Sequence, residues 1–308
     1  LFATTALVAF AGAASADMTV SGTARVGVVS NDGEMREEYR MRANFTGTTE
    51  TDNGVAFTAF ARVNLDENTA TVEAEDANGN VVGSANESDR GFNGAGITVS
   101  FAGLTVAMGN VDGAVNNTVN LYPAIVGLDG WGDYRSPAFN ANDGHTEFTS
   151  NGSGPRQTRI DYAVGDLALS ASTRIEGDNN DVEVGASYSM GNVNFGVGML
   201  MADADDSDAT YLSVDGTFGA LTAGVGFIDS DDGALGESAF VVGAAYAISD
   251  VLTVDAMYGD SADGAYMTDD TYAVGFDYSM GGGVTLRGSL GQDHNGFDNH
   301  TLGFAMSF

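Results

Sequence analysis

The sequence predicts an all-β protein, a 16-stranded antiparallel transmembrane β-barrel with a long constriction loop folded into its lumen. Apolar and polar residues alternate along segments of about 10 residues, the period of a strand with one greasy and one wet face. Short turns alternate with long connections rich in Asp, Asn, Gly and Ser. Beyond residue 16 no run is apolar enough for a spanning helix, although 43% of the 308 residues are hydrophobic.

Composition narrows the class. The net charge is -32, all 11 basic residues are arginine, and 43 glycines stand against 3 prolines, which suits many turns. With no cysteine, a disulfide framework and cysteine-ligated metal sites are excluded, and the redox compartment stays open. So acidic a chain is not expected to bind nucleic acid.

In chain order, residues 1–16, LFATTALVAFAGAASA, read as the apolar and cleavage regions of a secretory signal, with Ala14-Ser15-Ala16 in the small-x-small form before Asp17. The run is too short to span a bilayer, and its basic n-region is missing, so the signal is expected to be partial. Residues 17–308 are expected to form the barrel. Strands are expected to start near Met18, Arg36, Gly54, Asp89, Leu104, Arg156, Leu167, Asp181, Val193, Ala209, Leu221, Ala239, Val251, Thr271, Val284 and His300. An even number closes antiparallel with both termini on the periplasmic side.

The second half carries the clearest repeat: DYAVGDLAL, SYSMGNVNF, TFGALTAGV, AYAISDVLT and DYSMGGGVT each end one strand, turn and begin the next. The aromatic before each turn (Tyr162, Tyr188, Phe218, Tyr246, Tyr278) recurs every 26 to 32 residues, one hairpin per period. These rings are expected to form the periplasmic-side girdle. Outward faces should hold Val182, Val184, Ala186, Tyr188 and Met190 on strand 8, and Tyr272, Val274, Phe276, Tyr278 and Met280 on strand 14. In a soluble sandwich the greasy face would instead be inside, and periodicity does not separate the two. The last strand does: HTLGFAMSF puts Leu302, Phe304, Met306 and Phe308 on one face and ends on an aromatic, the expected assembly signal of an outer-membrane barrel.

The arginines then acquire a direction. In YRMRANF, Arg40 and Arg42 share one face while Tyr39, Met41, Ala43 and Phe45 take the other. A charge facing lipid at mid-depth costs about 2 to 4 kcal/mol, so Arg25, Arg40, Arg42 and Arg62 on the first three strands must face the lumen and line a channel. By the same parity Arg159, Arg174 and Arg287 face inward. These charges repel one another unless acids lie opposite, and the segment 111–155 supplies Asp112, Asp129, Asp133, Asp143 and Glu147 together with Trp131, the single tryptophan. A connection that long without a strand pattern is usually functional or disordered. The plainer alternative is that individual arginines pair structurally with lumen acids such as Glu38 or Asp161.

The whole mature chain resembles the general-diffusion porins of the alphaproteobacterial, Rhodobacter-type class. The resemblance rests on SGTARVGV at Ser21, the paired arginines followed by FTGTT at Phe45, NGVAFTAFAR at Asn53, FAGLTVAMGN at Phe101 and NLYPAIVGLDGWGDYR at Asn120. It implies a homotrimer in outer-membrane lipid, inserted by the barrel-assembly machinery, with loop 3 (about 111–155) narrowing each lumen. Arg25, Arg40 and Arg62 would form the basic wall, with Arg42 added by parity; Asp112, Asp129 and Asp133 would form the acidic side. Such a channel passes ions and small hydrophilic solutes passively, and its transverse field disfavours apolar ones. Family members often carry pore lysines; this chain has none.

Acidic loops would concentrate cations over a Debye length of about 8 Å, while the arginines pull the other way locally. No cofactor is expected. The acidic run at 203–208 could hold Ca²⁺, although a solvated loop is the simpler expectation. A substrate-selective channel is the nearest rival, with Tyr122, Trp131 and Tyr134 as a solute platform. An enzyme is disfavoured: the three histidines, His145, His294 and His300, stand in neither an H-E-x-x-H nor a G-x-S-x-G setting. An adhesin is disfavoured because the glycine repeats of calcium-binding arrays are missing. The small outward residues of strands 1 to 3 (Val20, Gly22, Ala24, Ala43, Ala59, Ala61) mark the expected subunit interface.

Overall fold

The computed structural model describes residues 17–75, 81–128, 156–174, 181–202, 208–231, 238–261, 270–293 and 296–308. Among them, sixteen strands close antiparallel into one barrel, the first paired with the last. They are β1 (Asp17–Asn31), β2 (Glu34–Glu50), β3 (Ala56–Glu75), β4 (Val81–Phe101), β5 (Leu104–Gly109), β6 (Gln157–Val164), β7 (Leu167–Arg174), β8 (Val182–Met190), β9 (Val193–Met201), β10 (Ala209–Phe218), β11 (Leu221–Ser230), β12 (Ser238–Ala247), β13 (Leu252–Ser261), β14 (Thr271–Gly281), β15 (Val284–Gln292) and β16 (Asp298–Ser307). A short helix, α1 (Ala114–Thr118), lies between β5 and β6.

The lipid-facing alternation holds. Tyr188, Met190, Tyr272, Val274, Tyr278 and Met280 are exposed, whereas their inward neighbours Glu183 and Thr271 are buried. The aromatics before the short turns all face outward, with Tyr162, Phe218 and Tyr246 about half exposed. Three of these turns have two residues and begin with glycine at positive φ, +59° at Gly165, +63° at Gly191 and +65° at Gly219. Their second residues do not share the positive φ, so these are type II′ turns, whose twist suits a tight hairpin.

Closure brings the chain ends together. Gly22 and Phe308 exchange backbone hydrogen bonds of 2.7 and 3.0 Å. The Phe308 ring lies where a side chain on Gly22 would stand, so the glycine seats the terminal aromatic against β1.

One boundary differs from expectation. β4 begins at Val81 rather than near Asp89, and β3 continues to Glu75. The two strands stay paired beyond Leu65, with register shifts after Arg62, Leu65 and Ala74. In this extension one parity of β3 is polar (Thr69, Thr71, Glu73) and the other holds only small residues (Ala70, Val72, Ala74), a contrast too weak to mark a strand.

Candidate functional site: the lumen and its inward loop

The segment 112–128 enters the barrel and follows its inner wall from β6 to β16 and β1. The wall holds it with inward hydroxyl and carboxylate side chains. Ser172 accepts from the Ala114 N–H at 2.9 Å, and buried Glu183 accepts from Val115 N–H at 2.9 Å. Ser213 accepts from Asn120 N–H at 2.9 Å, and Thr301 from Leu128 N–H at 2.9 Å. Each satisfies a backbone group that the irregular chain would otherwise leave unpaired.

Between these anchors the wall is glycine. A Cβ on Gly185 would stand 2.8 Å from the Ala114 carbonyl oxygen, one on Gly198 would stand 3.0 Å from Val115, one on Gly243 2.7 Å from Ala124, and one on Gly275 2.9 Å from Val126. The glycines form a track in the inner wall, and the loop lies in it. Val115, Val119, Leu121, Ala124 and Val126 bury themselves there against Leu200, Tyr211, Ile228, Val241 and Met257. At about 25 cal/mol per Å² of apolar surface, this cluster makes the inward position of the loop strongly favourable.

Ile125 breaks the pattern. Residues 123–128 are otherwise buried, yet Ile125 is 55% exposed, so it points away from the wall into the lumen. The sequence reading missed it, because in PAIVGL an isoleucine is indistinguishable from its core neighbours.

The described loop residues leave β2 to β5 uncovered, and that sector carries the arginines. Arg42 Nε donates to Asn64 Oδ1 at 3.2 Å, and Arg62 Nε donates to Asn44 Oδ1 at 2.8 Å. Register explains the reciprocity: Arg42 faces Asn64 and Asn44 faces Arg62 across the β2–β3 ladder. A neutral amide oxygen fixes each guanidinium plane without itself contributing an opposing charge. Arg40 lies on the same inward face, half-buried and opposite Arg25 in register.

Arg25 has a different environment. It is 7% exposed and ion-paired with Glu38, itself 3% exposed. Arg36 reaches the same carboxylate at 2.9 Å. The structural pairing weighed as the plainer alternative is therefore what Arg25 adopts. Arg159 behaves likewise, 3.0 Å from Asp161.

Of the expected acidic side, Asp112 stands at the root of the loop, where its carbonyl oxygen accepts from Arg159 at 2.6 Å and its charge acts on Arg62. Asp129 and Asp133 lie outside the described residues, as do Trp131, Tyr134, Asp143, His145 and Glu147. Tyr122 packs partly buried against the wall cluster instead of standing open as a platform. Of the run at 203–208 only Asp208 is described, and its carboxylate accepts from the Ala202 N–H at 2.9 Å. Among the described residues, no group of three or more His, Cys, Asp or Glu side chains is arranged to hold a metal ion.

The chain is similar to known proteins. Residues 3–298 match the family model described as Gram-negative porin. The porin of Fuscovulum blasticum is 26% identical over 297 residues, spanning 85% of this chain and 87% of that one. Two solved structures of Rhodopseudomonas blastica porin, a triple and a double mutant, align with TM-scores of 0.76 and 0.75 at 23% identity, covering 94% of this chain and 100% of theirs.

Proposed function

The chain belongs to the Gram-negative porin family, and from that premise we propose how its lumen sorts what passes. It is an outer-membrane channel for passive diffusion, and it is not an enzyme. The constriction lies between the inward loop and the uncovered sector of β2 to β5. Arg40, Arg42 and Arg62 form the basic wall, Arg25 being neutralised by Glu38. Asp112 begins the acidic side, which Asp129 and Asp133 extend.

The observation that carries this reading is the pair of arginines on asparagine tethers, facing the lumen from the sector that the described loop residues leave bare. Opposed charges across a narrow water-filled gap orient the water between them. A small polar solute exchanges contacts with that water, whereas an apolar solute must disorder it. Small hydrophilic solutes and ions are therefore the cargo, sorted by size and polarity.

The working unit is a homotrimer. Ala43, Ala61 and Ala95 put small side chains on the outward face of β2 to β4, on which barrel walls can approach closely. Residues 1–16 act as a cleaved signal, and Phe308 marks the chain for the barrel-assembly machinery.

Swelling of vesicles containing the refolded protein, in a series of neutral sugars of rising size, tests this reading. Rates should fall smoothly with size and rise linearly with concentration. Saturation with one sugar would instead make the channel substrate-selective.

A further inference from the structure

Along the inward segment 112–128, only Asn117 and Ile125 are exposed. Asn117 is an amide that donates to Asp161 Oδ1 at 3.1 Å, so it meets water with polar groups of its own. Ile125 has none to offer. The other exposed large apolar side chains among the described residues stand on outward strand faces, at short turns or at strand ends. Ile125 is thus the one that the described residues turn toward the water-filled bore.

The chain holds it there from both sides. Before it, Ala124 packs onto Gly243, where an added Cβ would stand 2.7 Å from the Ala124 Cβ and 3.0 Å from Pro123. After it, Val126 lies 2.9 Å from the corresponding position on Gly275. Gly127 then takes a φ of +87°, with Thr301 Oγ1 2.8 Å from where its Cβ would be. The Leu128 N–H donates to the same Thr301 hydroxyl at 2.9 Å. With its neighbours seated in the wall, residue 125 is left to the lumen, and a β-branched side chain has few rotamers in which to fold back. It is a fixed apolar ledge.

A solute passing such a ledge changes its hydration on one side. A hydroxyl turned toward Ile125 gives up a hydrogen bond to water and receives none in return, which costs free energy. A methyl group in the same place gives up nothing, and its contact with the isoleucine removes apolar surface of both from water.

We propose that Ile125 is a specificity-determining residue of the channel, favouring small hydrophilic solutes that carry one apolar edge over solutes of similar size that are hydroxylated all round. The proposal deepens the diffusion-channel reading and rests on it.

Vesicle swelling with D-galactose and with D-fucose, its 6-deoxy counterpart, tests it, with protein-free vesicles supplying the background. The two sugars share their ring stereochemistry and differ by one hydroxyl. D-fucose should enter through the parent protein about twofold faster than D-galactose, as partial burial of one methyl group allows. Ile125→Val and Ile125→Thr then separate apolarity from bulk, because their side chains match in shape and differ in a methyl for a hydroxyl. The valine variant should keep the ratio, and the threonine variant should bring it down to about one.

Equal rates for the two sugars in the parent would overturn the proposal, as would a ratio that Ile125→Thr leaves as high as Ile125→Val does. The galactose rate reports on the channel separately. Galactose entry with a flat ratio removes the role of Ile125 and leaves the channel standing, whereas folded parent protein that admits neither sugar would overturn both.

Discussion

Arg42 and Arg25 face the lumen from neighbouring strands, and their partners give them different roles. Asn64, a neutral amide, holds Arg42 in place, while the Glu38 carboxylate pairs with Arg25 and ties β1 to β2. Removing one partner of a buried ion pair typically costs about 3–5 kcal/mol, most of it from stranding the other charge. Glu38→Leu is accordingly expected to lower the urea midpoint of folding in lipid vesicles, and adding Arg25→Met should restore much of the loss. If the single variant folds as stably as the parent, Glu38 is not the tie described. Ile125 makes the opposite prediction. Its exposed side chain contributes little to packing, so Ile125→Asp should leave stability unchanged while raising the cation preference measured in a salt gradient. Strand parity placed Arg25, Arg40, Arg42, Arg62 and Glu38 on the inner face from sequence alone. Which arginine meets which acid depends on register between strands, and parity carries no register.

At the scale of elements, loop and wall are complementary surfaces. The glycine track receives the loop, and the hydroxyls of Ser172, Ser213 and Thr301 fasten it. A side chain on Gly243 would displace Ala124. Gly243→Val should therefore push the loop into the open sector and reduce single-channel conductance by about half or more, since little side-chain volume can be absorbed in a close-packed contact. An unchanged conductance in a folded variant would show that the loop does not bound the channel. The strands were legible because lipid on one side and water on the other enforce a period of two. The helix α1 and the glycine track were not, because inward glycines look alike in sequence whether or not a distant segment lies on them. The extension of β3 and β4 escaped for a related reason: its apolar parity holds only Ala70, Val72 and Ala74, so the pattern that marks strands elsewhere is faint there.

The whole molecule combines a net charge of -32 with arginines on the inner face of its barrel wall. Charged loops at the mouths attract cations over roughly a Debye length of about 8 Å, whereas the wall acts on an ion directly as it passes. Trimer formation belongs to this scale too. Ala61→Trp on the flat outward face of β3 should shift the refolded protein from trimer to monomer on native electrophoresis; a persisting trimer would move the interface elsewhere on the barrel.

The central claim is that Arg42 and Arg62 line the path of the permeating ion and bias its selectivity. The most direct test is the reversal potential of single channels in a potassium chloride gradient, for the parent and for Arg42→Gln combined with Arg62→Gln. Two unit charges acting at near-water dielectric contribute on the order of 1 kcal/mol between them, so the double variant should become about fivefold more cation-selective. An identical reversal potential in both proteins, from channels of comparable conductance, would contradict the claim and leave selectivity to the acidic loops.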